Sequence, residues 1–400
     1  MLSRTHQVTS ALLLGSTLAA WAQIDPYPRS LLQLGADYSL SGQGPQSLYA
    51  YYYYNNPAFL KTNTALRLAV APVYLNGELG FRGLLSPHTD VGLGFSGGGF
   101  GENYYEIQQG QYLKAESFNG SGGGAALSLY HRLNPRQQIP LTIVVRGGFD
   151  YSAYSRADRT SDAFQPPANR GTSFVRTGLR LAGKEPMLYP DLAMEVSVWY
   201  ERQWRSGNPT YGYADNPLQV QPTTDLYWLY AGLSYAWTNT GHQFSLGLAA
   251  GGTGDADRFS AWRLGGVLPL ASEFPLTLPG YYYQELSAQR FAHLSASYVL
   301  PLSASHRWQT RLGAATAWLD YLPGFELPRR WQTGVGADLR YTSRSQVWRA
   351  ILRYGYGVNA LRDGREGAHS VGLLYQYNFE QRKVRREAAQ RASNGTSATP

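Results

Sequence analysis

Gly94-Phe95-Ser96-Gly97-Gly98 has the G-x-S-x-G spacing of a nucleophile elbow, where a sharp strand-to-helix turn exposes a serine hydroxyl for attack. No helical periodicity follows it, and glycines continue through Gly99, so the stretch reads as a glycine-rich strand end. Gly92, Gly94 and Gly97 also spell G-x-G-x-x-G, but without a following helix and an acidic ribose ligand there is no phosphate cradle. His88, His131, His242, His293, His306 and His369 are far apart in sequence and have no cysteine beside them, so no metal site is expected. His293 with Ser295 or Ser297 is the one pairing that resembles a hydrolytic couple, and a wet lumen or membrane interface explains those residues equally well. Neither catalysis nor a cofactor is expected from these residues. Asp320, at the end of Trp318-Leu319-Asp320, is different, because a lone carboxylate on an apolar strand is costly against lipid and should face a polar interior.

The elements that would position these residues are strands. Leu229, Ala231, Leu233, Tyr235 and Trp237 share one face against Tyr230, Gly232 and Ser234. Thr333, Val335, Ala337, Leu339 and Tyr341 likewise oppose Gly334, Gly336, Asp338 and Arg340. Trp348, Ala350, Leu352, Tyr354 and Tyr356 oppose Arg349, Ile351 and Arg353. Faces inferred in this way turn Arg67, Arg146, Arg176, Arg180, Arg340, Arg349 and Arg353 inward, against Asp150, Glu195, Glu201 and Asp338. Strand after strand of this kind without helices predicts an all-β fold, a transmembrane antiparallel β-barrel of about sixteen strands with lipid outside and a polar lumen. Short joins are expected at Asn76-Gly77, 86–89, 134–137, 238–241 and 343–345, and long extracellular ones at 99–123, 151–171, 207–224, 267–288 and 359–367. The segment 49–54 fits either a first extracellular loop or a piece folded into the lumen.

Composition agrees: 44 Gly, 31 Tyr and 10 Trp with 16% charged residues suit many strands, tight turns and interfacial aromatics. The mean hydropathy is −0.34, and no apolar run approaches the ~20 residues of a transmembrane helix. Residues 1–22, with Arg4, an apolar run and Ala20-Trp21-Ala22, read as a secretory signal peptide. With 0 Cys there is no disulfide framework. Of the formal +8, Arg4 carries +1 and the tail after Phe379 carries +3, leaving +4 on the barrel, too little for a nucleic-acid partner. The organisation expected is signal 1–22, barrel 23–379 and a disordered basic periplasmic tail 380–400. The closing strand alternates through Val371, Leu373, Tyr375 and Tyr377 to Phe379, the aromatic ending that outer-membrane assembly machinery reads. The expected location is the bacterial outer membrane.

Residues 258–379 resemble the barrel of the BamA/TamA superfamily, the bacterial surface antigens. The features are Leu264-Gly265-Gly266, then Leu278-Pro279-Gly280-Tyr281 where the family has an Arg-Gly-aromatic loop motif, and a strand ending Leu300-Pro301-Leu302. Trp318-Leu319-Asp320 follows, similar to the family's aromatic-x-Asp strand, and then Trp331-Gln332-Thr333-Gly334-Val335-Gly336, similar to its penultimate hairpin. The resemblance implies a loop in the lumen, a weak seam between first and last strands, and a role in outer-membrane protein assembly, translocation, or lipid or polypeptide transport. In the family the loop arginine contacts the aromatic-x-Asp strand; Pro279 stands in its place here, so that contact cannot form in the same way. Too few residues separate Gln23 from the first strand for periplasmic POTRA domains, so a barrel without them is expected, with a separate periplasmic protein as a candidate partner beside membrane lipid and the assembly machinery. The alternative is a passive porin-like pore with a mild preference for anions.

Overall fold

The computed structural model describes residues 28–45, 47–71, 74–133, 141–182, 192–237, 239–267 and 276–396. Alternating residues become sixteen long antiparallel strands. The first four are β1 (Arg29–Ser39), β2 (Ser47–Asn56), β3 (Thr64–Ala71) and β4 (Tyr74–Ser86). Next come β5 (Thr89–Tyr104), β6 (Phe118–Arg132), β7 (Leu141–Arg156) and β8 (Arg170–Ala182). β9 (Leu192–Arg205), β10 (Thr223–Trp237), β11 (His242–Gly254) and β12 (Leu286–Pro301) follow. β13 (Trp308–Tyr321), β14 (Trp331–Thr342), β15 (Trp348–Arg362) and β16 (Arg365–Asn378) complete the wall. Each strand pairs with the next, and β16 returns to β1 in unbroken register from Leu31↔Asn378 to Ser39↔Ser370, so the sheet closes. The wall is uneven in height. β1, β2 and β3 have 11, 10 and 8 residues, whereas β5, β6 and β7 have 16, 15 and 16.

Closure divides each strand into an outer and an inner face. Leu127, Val145, Val175, Val196, Leu233, Leu312, Val335, Leu352 and Leu373 are exposed on the outside. Glu78, Ser128, Glu201, Asp338, Arg340 and Arg353 are buried on the inside. Water would not tolerate an outer band of this kind, and lipid would. Aromatics rim the band. At the end that holds the short joins, Trp308, Tyr341, Trp348 and Tyr375 pack in succession at 4.8, 5.2 and 5.9 Å. At the other end Tyr151, Trp204, Tyr227 and Trp331 point outward. Among the described residues no helix is long and apolar enough to cross a membrane. The chain is a sixteen-stranded transmembrane barrel of the bacterial outer membrane. Its longer joins (105–117, 157–169, 206–222 and 255–285) share one end, the extracellular one by the rule that outer-membrane barrels keep their short turns periplasmic, and both ends of the barrel segment lie at the opposite end.

Several expectations need correction. Residues 49–54 are neither loop nor lumen segment; they lie in β2, where the β-favouring tyrosines pair with β1. Asn76-Gly77 is no turn but lies inside β4: Asn76 Oδ1 accepts from Arg67 Nη2 at 2.5 Å, and Gly77, opposite Phe95, makes room for that ring. The expected long join 359–367 shrinks to Asp363-Gly364, whose φ values of 48° and 75° give the primed turn that Asp-Gly favours. The tail expected to be disordered forms a helix, α1 (Phe379–Thr396). Ala, Gln, Arg and Glu favour helix, and Asn378 Oδ1 caps it by accepting from Gln381 N at 3.0 Å. The signal peptide and the joins at 134–137 and Thr238 lie outside the described residues.

Candidate functional site: the loop inside the barrel

The join between β11 and β12 turns inward. Of this join 255–267 and 276–285 are described, and both parts are bonded to the inner wall. Leu264, Leu278 and Tyr281 pack in one apolar cluster with Phe291 of β12 and Leu319 and Tyr321 of β13; Ala315, Ala317, Ala360 and Ala368 keep the wall thin enough to admit them. The short strand Trp262–Leu264 adds to β12, so the loop begins as an extension of the sheet. An apolar loop buried inside a polar lumen needs its backbone satisfied by the wall.

The wall supplies those partners. Asp37 of β1 accepts from Val267 N at 2.8 Å, while Arg353 of β15 donates through Nη1 to Val267 O at 2.6 Å. Arg353 is held in turn by Asp338 of β14, which also faces Arg340 and Arg311 at 3.2 and 3.8 Å. Gly280 N donates to Ser370 Oγ of β16 at 3.1 Å. Tyr281 donates to Gln332 Oε1 at 2.7 Å, and Gln332 Nε2 donates to the Tyr321 hydroxyl at 2.9 Å. Burial, and then the charge of Glu285, push the Tyr281 phenol above its ordinary range, so it stays a donor. Tyr282 is raised mainly by burial.

The strongest anchor is ionic. Glu285 and Arg362, at the end of β15, form a bidentate pair at 2.7 and 2.8 Å, both side chains buried, and the guanidinium stacks 3.6 Å from the Tyr282 ring centroid. Glu285 also accepts from Tyr282 N at 2.7 Å, fixing the bend after Gly280.

Pro279-Gly280 rests on a pad without side chains. Gly334 lies opposite Gly357 and Gly336 opposite Gly355, all on the inner face of β14 and β15. A Cβ at Gly334 would overlap the Pro279 carbonyl, and one at Gly355 would come within 2.7 Å of Gly280 N. Gly280, at φ 88°, adopts the left-handed backbone that favours glycine.

Among the residues singled out from sequence, Leu278, Pro279, Gly280 and Tyr281 come together at this contact. Asp320 does not join them. Leu319 and Tyr321 take the inner face of β13, so Asp320 lies on the outer parity at the extracellular rim, where Gln289 Nε2 donates to it at 3.1 Å and Arg290 is 3.8 Å away. The argument that a carboxylate must face the lumen fails there because the rim offers an arginine partner. Tyr375 and Tyr377 face outward, and Phe379 begins α1, packed edge-on to Tyr377 and Tyr52 at 4.8 and 6.2 Å. Ser96 lies within β5 and donates to Asp150 Oδ1 at 2.7 Å, so it is on no elbow. His293 Nε2 bonds to Thr277 O at 3.0 Å, a loop contact with no serine involved. Among the described residues no group of three or more His, Cys, Asp or Glu could hold a metal. Sequence reasoning missed Asp37, Glu285, Ser370, Arg362 and the glycine pad; the repeated Gly-x-Gly of 334–336 and 355–357 was the available signal.

The fold and the site together define an outer-membrane barrel with a loop folded into its lumen. Its fold is similar to that of several solved structures. CdiB from Acinetobacter baumannii aligns at TM-score 0.59 and 14% identity over 88% of this chain and 60% of that one. CdiB from Escherichia coli aligns at 0.51 and 16%, covering 87% and 63%. BamA from Haemophilus ducreyi lacking POTRA domains 1–3 aligns at 0.53 and 8%, covering 92% and 78%. The chain therefore spans less than two thirds of the length of either CdiB. By sequence, no protein-family model and no curated protein matches it.

Proposed function

We propose that the chain is a loop-closed barrel acting in outer-membrane protein assembly or in translocation of polypeptide or lipid. The observation that carries this is that one loop is bonded to both strands of the closure: Val267 to Asp37 of β1, and Gly280 to Ser370 of β16. The Tyr282 hydroxyl adds a bond to Ser41 O, just past β1, at 3.2 Å. Displacing the loop would open that side of the lumen and leave the closure to the nine-residue ladder between β16 and β1 alone. The short strands β1 to β3 support the same reading, since a low wall thins the adjacent bilayer and eases lateral passage. The likeness to CdiB and BamA barrels favours this class, with a separate periplasmic protein delivering clients and the assembly machinery reading Tyr375, Tyr377 and Phe379. An open pore is disfavoured by the apolar loop buried against the lumen wall.

Hydrogen exchange of the refolded barrel tests the coupling. Replacing 268–284 with a short linker should speed exchange in β1 and β16 and leave β6 and β7 unchanged. Equal protection at the closure with and without the loop would contradict the proposal.

A further inference from the structure

Arg170 opens β8 on its inner parity at the extracellular mouth and is 4% exposed. Its guanidinium lies over the rings of Phe259 and Tyr154, at 4.8 and 5.4 Å, and neither Nε nor Nη2 has a hydrogen-bond acceptor among the described residues. A buried guanidinium without an acceptor is disfavoured, because ring faces replace only part of its lost hydration. The nearby carboxylate cannot serve. Asp257 Oδ2 already accepts from Arg205 Nη1 at 2.7 Å and Gln221 N at 2.8 Å, and its Oδ1 from Phe259 N, Ser260 N and Ser260 Oγ. Two arginines thus share one spent carboxylate. Arg170 and Arg205 also wall a small, half-open cavity, completed by residues 206–209 and 220–222, including Asn208 and Gln221.

We infer that this cavity binds an oxyanion group, a phosphate, with Arg170 as the main donor and Arg205 adding positive charge. The anion would supply the acceptor that Arg170 lacks and neutralise the surplus charge. The phosphate has two possible sources, free phosphate from outside or the phosphate of an outer-leaflet glycolipid.

The test uses the full chain refolded in neutral detergent, with inorganic phosphate followed by phosphorus-31 line broadening at constant ionic strength. Saturable broadening is expected, abolished by Arg170→Met. If that variant does not refold, Arg170→Lys keeps a point charge without the planar fork and should weaken binding about tenfold or more. Nanodiscs separate the sources. With a glycolipid source, free phosphate binds in discs of dephosphorylated glycolipid and not in discs of the phosphorylated form; with a free source it binds in both. Absence of saturable phosphate binding in the wild type, or unchanged binding in Arg170→Met, would overturn the inference and leave Arg170 as a brace for the aromatic cluster.

Discussion

At the scale of residues, the loop is held by one buried ion pair and by the absence of side chains beneath it. Arg362→Met leaves Glu285 charged and buried without its partner, and Glu285→Gln does the reverse, so each should destabilise loop docking by about 3–5 kcal/mol. The two changes together should cost less than their sum, which a double-mutant cycle read by urea unfolding and loop proteolysis checks. Additive losses would show that the pair does not act as a unit. Gly334→Val puts a branched side chain where the Pro279 carbonyl lies. It should release the loop, seen as faster labelling of a cysteine placed at Tyr283 in this cysteine-free chain, while the barrel stays folded; unchanged labelling would mean that the pad does not seat the loop. Leu278, Pro279, Gly280 and Tyr281 were singled out from the resemblance of their loop to a family motif in which an arginine stands where this chain has proline. Arg362 and Glu285 were not, because they are 77 residues apart and meet only through closure of the barrel. Asp320 misled because alternation gives the face of a residue and not its depth, and a rim carboxylate beside Arg290 escapes the lipid penalty.

At the scale of elements, strand alternation was the most legible feature, because lipid outside and water inside impose a strict period of two. Turn signals were weaker guides. Asn76-Gly77 carries the composition of a hairpin turn and sits in mid-strand, since its neighbours Arg67 and Phe95 use the carbonyl and the space it provides. Helix α1 was missed because the basic tail was read as disordered, although polar residues of high helix propensity and an Asn cap can form an exposed helix. Its side chains from Arg382 to Gln390 are exposed, so removing 380–400 with Phe379 kept should change barrel stability by no more than about 0.5 kcal/mol. Phe379→Ala should lower the unfolding midpoint more than that truncation does, because the ring packs on Tyr52 across the closure and on Tyr377. Equal midpoints would separate the aromatic terminus from barrel stability.

At the scale of the whole molecule, sixteen strands close a wall of the size that leaves a lumen, and the described loop packs on the inner side of that wall, fastened to the neighbouring strands β14, β15, β16 and β1. The barrel class followed from period and composition alone; the lumen loop was expected from the resemblance, and its anchors emerged only from the fold. The most direct measurement is single-channel conductance of the refolded barrel in a planar bilayer, for the intact chain and for a chain with 268–284 replaced by a short linker. The account predicts low or flickering conductance in the intact barrel and a large, steady conductance once the loop is gone. Large, steady conductance in the intact barrel, unchanged by loop removal, would contradict it and restore the reading as a passive pore.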